Sequence, residues 1–152
     1  MRRPAMSNLL CAEYDHSCRE FIAFVLRQAG YQVFEASNGA QAVQIAREES
    51  IDLAMLEVRL PMLTGYQAAR LICKHSPRTL IMFVSARGLP YEVEKAFDCA
   101  PTVVDYLIKP VTAAQLVQRV ESVLRVASSY GARVVRQESL ARPDLVHIRL
   151  HP

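Results

Sequence analysis

The sequence predicts an α/β fold: a doubly wound, five-stranded parallel sheet with helices on both faces, followed by a C-terminal extension. Three observations carry this. Short apolar runs of strand length alternate five times with longer stretches whose apolar residues recur at helical spacing. The runs are nearly continuous in apolar character, as in strands covered on both faces. Turn and capping residues fall between them, with Gly30, Asn38–Gly39, Gly65 and Ser76–Pro77 as the punctuation.

The elements follow in order. "NLLCA" reads as the first strand, and a helix from near Ser17 carries Phe21, Val25 and Leu26 until Gly30 ends it. "YQVFEA" is the second strand, followed by the helix "AQAVQIAREES" with Ala42, Val43 and Ile45 turned inward. "IDLAMLE" is the third strand. Gly65 opens the helix "YQAARLICKHS", which stops before Pro77 because the residue preceding proline avoids helical geometry. "TLIMFVS" is the fourth strand, and Pro90 suits the first turn of the helix "PYEVEKAFDC". "VVDYLI" is the fifth strand, and Thr112 caps "AAQLVQRVESVLRVAS". The expected organisation is a lead at 1–6, a domain at 7–128 and an arm at 129–152. In the arm, Val146, Ile148 and Leu150 alternate with His147 and Arg149, so a terminal hairpin and a frayed tail are both open.

Composition narrows the function classes. A chain of 152 residues with 51% hydrophobic content has enough apolar material for one core. No run approaches the roughly 20 apolar residues of a membrane span, and the start lacks a secretory h-region, so a cytoplasmic protein without a membrane partner is expected. Cys11, Cys18, Cys73 and Cys99 form no C-x-x-C pair and read as free thiols. The four histidines have no zinc-like grouping. A net charge of +3 is too small to argue for nucleic-acid binding, and the arm has no helix-turn-helix pattern.

The chemistry-bearing residues gather at the strands' carboxyl ends, where ligands collect in open α/β sheets. Glu13 and Tyr14 follow the first strand, Glu57 the third, Ser85 the fourth and Lys109 the fifth. Glu57 ends a strand of Leu53, Ala54, Met55 and Leu56. A carboxylate there is either a site residue or a solvated strand-end acid.

On "LLCAEYDHSCR", "DLAMLEVRLPMLTG", "FVSA" and "DYLIKP", residues 7 to 126 resemble the receiver domain of two-component response regulators. The resemblance implies a (βα)5, flavodoxin-like and CheY-like three-layer sandwich acting in signal transduction. It implies that Glu57 stands where the family has its phosphoacceptor aspartate, and that Glu13 and Tyr14 stand where the family has two magnesium-holding acids. Ser85 takes the hydroxyl position, Lys109 the lysine position, Pro110 that of a proline usually preceded by a cis peptide, and Tyr106 that of the aromatic switch. Asp15 is a further acid just beyond the pair, and the stretch before the fifth strand is slightly longer than the family's.

The departures predict an atypical receiver. Glutamate carries its oxygens about 1.5 Å of bond length further out than aspartate, and a misplacement of about 1 Å costs on the order of a hundredfold in phosphoryl transfer. A neutral phenol is a poor magnesium ligand. The expectation is a non-enzymatic, phosphorylation-independent module with no cofactor and weak or absent magnesium binding. Lys109 and Arg59 are the candidate cations for Glu13 and Glu57. The alternatives are a phosphorylatable regulator in a phosphorelay, using Glu57 or Asp15, and a ligand-gated or nucleic-acid-binding regulator. Expected partners are proteins, a histidine kinase or another regulator, and a homodimer through the arm or the face from Pro90 to Ser128. Arg119, Glu121 and Arg125 are candidate polar contacts of that face.

Overall fold

The computed structural model describes residues 6–130, with side chains to residue 127. Residues 1–5 of the expected lead (1–6) and 131–152 of the expected arm (129–152) lie outside the described residues, and with them the hairpin and tail readings. Five strands alternate with five helices: β1 (Asn8–Ala12), α1 (His16–Gln28), β2 (Gln32–Ala36), α2 (Gly39–Glu48), β3 (Leu53–Leu56), α3 (Gly65–His75), β4 (Leu80–Ser85), α4 (Pro90–Cys99), β5 (Val103–Ile108) and α5 (Ala113–Tyr130). All four pairings are parallel, in the order β2-β1-β3-β4-β5, so the expected fold class is the observed one.

Side-chain alternation divides the core into two layers. Leu10 and Ala12 of β1, Ala54 and Leu56 of β3, and Ile81 and Phe83 of β4 pack with residues of α2, α3 and α4. Leu9 and Cys11, Leu53 and Met55, and Leu80, Met82 and Val84 point the other way, onto α1 and α5. Both faces of the central strands are therefore apolar, as a parallel sheet under two helix layers requires. Among the described residues no helix is long and apolar enough to cross a membrane.

The pairing of β4 with β5 is irregular. The register passes from Ile81 opposite Val103 to Met82 opposite Asp105, a bulge that leaves Val104 without a counterpart. Beyond it, Tyr106 faces the α3–α4 layer. The carboxylate of Asp105 meets Arg119 of α5, which takes one oxygen through Nε at 2.9 Å and the other through its terminal nitrogen. Arg119 is thus tied internally rather than offered to a partner, whereas Glu121 and Arg125 are exposed as expected.

Helix ends follow the expected chemistry with small shifts. Asp15 caps α1, which starts at His16, one residue ahead of the expected start, and the buried residues there are Ile22, Ala23 and Leu26, with Phe21 42% exposed. In α2 it is Ala46 that is buried beside Ala42 and Val43, with Ile45 only partly covered. Thr64 and Gln67 form a full capping box on α3. The Thr112 hydroxyl accepts the Gln115 N–H at 3.1 Å. All four cysteines are free, and burial pushes the Cys11 thiol far up.

Candidate functional site

Three strands end in charged residues that extend the ladder by one bond. The N–H of Glu13 reaches the Ala36 carbonyl at 3.0 Å, that of Glu57 the Ala12 carbonyl at 3.0 Å, and that of Lys109 the Ser85 carbonyl at 2.8 Å. Each side chain is therefore held by sheet geometry, not by a loop. Gly65 brings the start of α3 against this edge: its N–H meets the Val58 carbonyl at 2.8 Å, and a Cβ there would lie 2.2 Å from the Glu57 carbonyl oxygen. The Lys109–Pro110 peptide is cis.

The Lys109 ammonium bridges the two acids. It donates to Glu57 Oε2 at 2.8 Å and to Glu13 Oε1. The remaining carboxylate oxygens are also taken: Glu13 Oε2 accepts the Asp15 N–H at 3.0 Å, and Glu57 Oε1 accepts the Val58 N–H at 2.7 Å. Both acids are buried, at 4% and 8% exposure. Burial alone disfavours the ammonium of Lys109, but its hydrogen bonds to Glu13 and Glu57 outweigh that and raise its pKa above the usual range. Lys109 is thus the cation expected from the sequence. Arg59, the other candidate, is exposed between the buried Val58 and Leu60 and makes no ion pair among the described residues.

The neighbouring acids and phenol point elsewhere. Tyr14 is 67% exposed. The Asp15 carboxylate accepts the Cys18 N–H at 2.7 Å, satisfying the first turn of α1. Arg19 fixes this loop from below, donating to the Glu13 carbonyl at 2.7 Å and lying 3.5 Å from Glu35. The residues present therefore do not fit the magnesium ion that the resemblance noted above implies. Position 14 offers no carboxylate, Asp15 is engaged with the helix, and an ammonium already lies between the two remaining acids. Among the described residues no three histidine, cysteine or acidic side chains are grouped as a metal site.

Ser85 and Tyr106 complete the edge, both fully buried. The Ser85 hydroxyl accepts the Arg87 N–H at 3.0 Å, and the Tyr106 hydroxyl donates to the Arg87 carbonyl. The Tyr106 ring stacks on Phe83 at 5.8 Å, and Phe83 meets Tyr66 at 5.7 Å. Burial pushes the Tyr106 phenol up to about 12. Sequence reasoning missed Cys18 at the border of the site, where burial raises the thiol and Lys109 works against the rise. It also missed Arg87 and Glu92. A buried glutamate in the first turn of an otherwise charged helix gives no periodic signal in the sequence.

Comparison with known proteins agrees with this architecture. Residues 9–121 match the sequence profile of the response regulator receiver domain. The chain is 28% identical over 138 residues to the uncharacterized transcriptional regulatory protein YcbL of Bacillus subtilis, covering 87% of this chain and 60% of that one. It is 31% identical over 100 residues to PilH of Pseudomonas aeruginosa, covering 66% and 83% respectively. The chain spans 60% of YcbL and 50% of the probable transcriptional regulator ycf27 of Cyanidium caldarium. Among solved structures, a CheY-like receiver domain from Methanospirillum hungatei superposes with a TM-score of 0.77 at 18% identity, covering 82% of this chain and 98% of that one. The receiver domain of the sensor histidine kinase PA1611 from Pseudomonas aeruginosa, which has magnesium coordinated in its active site cleft, gives 0.73 at 29% identity, covering 80% and 99%.

Proposed function

The chain belongs to the response regulator receiver domain family, and we propose that within it this chain is a phosphorylation-independent signalling module whose output is contact with other proteins. Receiver domains are in general non-enzymatic signalling modules of two-component systems. The observation that carries the reading is the Lys109 ammonium lying between Glu13 and Glu57. In this reading Glu57 stands in the phosphoacceptor position, Glu13 and Tyr14 in the acid-pair positions, and Ser85, Tyr106 and Lys109 in the switch positions. An acceptor whose oxygens both hold other hydrogen bonds is poorly placed to meet a phosphodonor in line. Magnesium binds weakly or not at all, since it would have to displace an ammonium that already holds both acids, and Tyr14 offers it no carboxylate.

The partners are proteins, a histidine kinase or another regulator, consistent with relatives that are transcriptional regulators and with a likeness to a kinase's own receiver. The face from α4 through α5 is the surface for a partner or a second copy, and it exposes Leu89, Tyr91 and Ile108 at 55%, 63% and 38%. The test is incubation with a small phosphodonor and magnesium, read by intact mass. The expected result is an unmodified chain. A gain of one phosphoryl mass that vanishes in Glu57→Ala would overturn the proposal.

A further inference from the structure

We propose that Arg87 and Glu92 are positioning residues forming a built-in latch, which fixes the loop between β4 and α4 over the inward ring of Tyr106 and leaves it a single arrangement. This goes beyond the reading above: a chain that takes no phosphoryl group could still exchange between two loop positions, and the latch removes the second.

Four bonds pin a short segment. The Arg87 N–H is held by the Ser85 hydroxyl at 3.0 Å, and the Arg87 carbonyl by the Tyr106 hydroxyl. The Arg87 side chain donates through Nε to Glu92 Oε2 at 2.5 Å. The other oxygen of Glu92 accepts the Leu89 N–H at 3.3 Å, which caps α4 where leucine has no polar side chain to offer. Glu92 is itself fixed from the opposite side, since Tyr66 donates its hydroxyl to the Glu92 carbonyl at 3.3 Å, and the Lys95 ammonium lies 4.7 Å from the centre of the Tyr66 ring. Gly88 closes the segment against β5: a Cβ there would come within 2.9 Å of the Ile108 side chain.

Two of these contacts share the Glu92 carboxylate, and the other two hold the backbone of Arg87, whose side chain that carboxylate binds. Glu92 is 5% exposed, so releasing Arg87 strands an ionised group away from water. Turning Tyr106 outward releases the Arg87 carbonyl and leaves a cavity beside Phe83. A switch needs two packings of similar free energy, and here the second breaks the aromatic stack and the bond to the Arg87 carbonyl while the ion pair and the helix cap hold the loop where it is.

The experiment uses the full chain and NMR. In the unaltered protein, relaxation dispersion at the Tyr106 ring is expected to be flat, and the Arg87 and Leu89 amides to exchange slowly with solvent. Arg87→Ala is expected to speed exchange at Leu89 by about tenfold or more and to introduce dispersion at Tyr106, while Leu10 and Leu56 keep their protection. Glu92→Gln, which keeps an acceptor oxygen but loses the charge, is expected to have a smaller effect. Dispersion at Tyr106 in the unaltered protein overturns the latch, and so does Arg87→Ala leaving both readouts unmoved. Should a variant lose protection at Leu10 and Leu56, the dispersion of the unaltered chain decides alone. Neither readout depends on phosphorylation, so a failed latch and a failed functional reading are told apart.

Discussion

Lys109 holds apart two acids that would otherwise share one small pocket. Replacing it by methionine leaves Glu13 and Glu57 buried and facing each other, and removing one partner of such a cluster costs about 3 kcal/mol. Urea denaturation of Lys109→Met at neutral pH is expected to show a loss of that order, with part of it restored by adding Glu57→Gln. A loss below about 0.5 kcal/mol would mean that water, not the ammonium, compensates the acids. Because the Lys109 pKa is raised, its contribution is complete below the unfolded value near 10.5 and is lost only as pH rises through the higher folded one. The clamp is therefore insensitive to pH across the neutral range. Asp105 behaves differently. Burial lifts its carboxyl to about 6 against the opposing pull of Arg119, so the folded chain holds this proton more tightly than the unfolded chain. The stability from that proton is full below about 4 and is lost as pH rises through about 6. Urea midpoints measured from pH 4 to 7 should fall more steeply in the unaltered protein than in Asp105→Asn, and parallel curves would refute the assignment.

At the scale of elements, the site depends on how tightly α3 is set against the end of β3. Gly65 leaves no room for a methyl group beside the Glu57 carbonyl, so Gly65→Ala must push either the helix or the strand end, at about 1–3 kcal/mol. Thr64→Ala, one residue earlier, removes only the cap and should cost about 1 kcal/mol. Thermal unfolding of the two variants separates steric crowding from capping, and an equal loss in both would remove the claim that the close approach matters. The same comparison explains which elements were legible in the sequence. Thr112, Asn38 and Pro90 act on residues within a turn of themselves, so their chemistry is local and readable. The bond between Asp105 and Arg119 is not local. It requires the bulge at Val104 to aim the carboxylate at α5, and no periodicity announces a bulge. Arg59 shows the converse error, since nearness in the chain to Glu57 says nothing about direction once a strand gives way to a loop.

Across the whole molecule, parallel topology did most of the work of assembling the site. With five strands running the same way, residues that end β1, β3, β4 and β5 must meet at one edge, which is why Glu13, Glu57, Ser85 and Lys109 could be grouped before any coordinates. What topology could not supply was the state of that edge, because the scaffold is compatible with more than one set of side-chain contacts. This separation of scaffold from site can be tested directly. If the frame is that of a receiver and only the side chains at the edge prevent phosphoryl transfer, restoring aspartates should restore the chemistry. The triple variant Glu13→Asp, Tyr14→Asp, Glu57→Asp withdraws two carboxylates from Lys109 and supplies an acid at the exposed position 14. With magnesium and a small phosphodonor it is expected to gain one phosphoryl mass that depends on residue 57. Glu57→Asp alone should gain little, because Tyr14 still offers the metal no carboxylate. Full modification of that single variant would show that length at position 57 is the sole defect. An unmodified triple variant that stays folded would move the cause from the edge into the frame, with the latched loop after Ser85 as the next place to look.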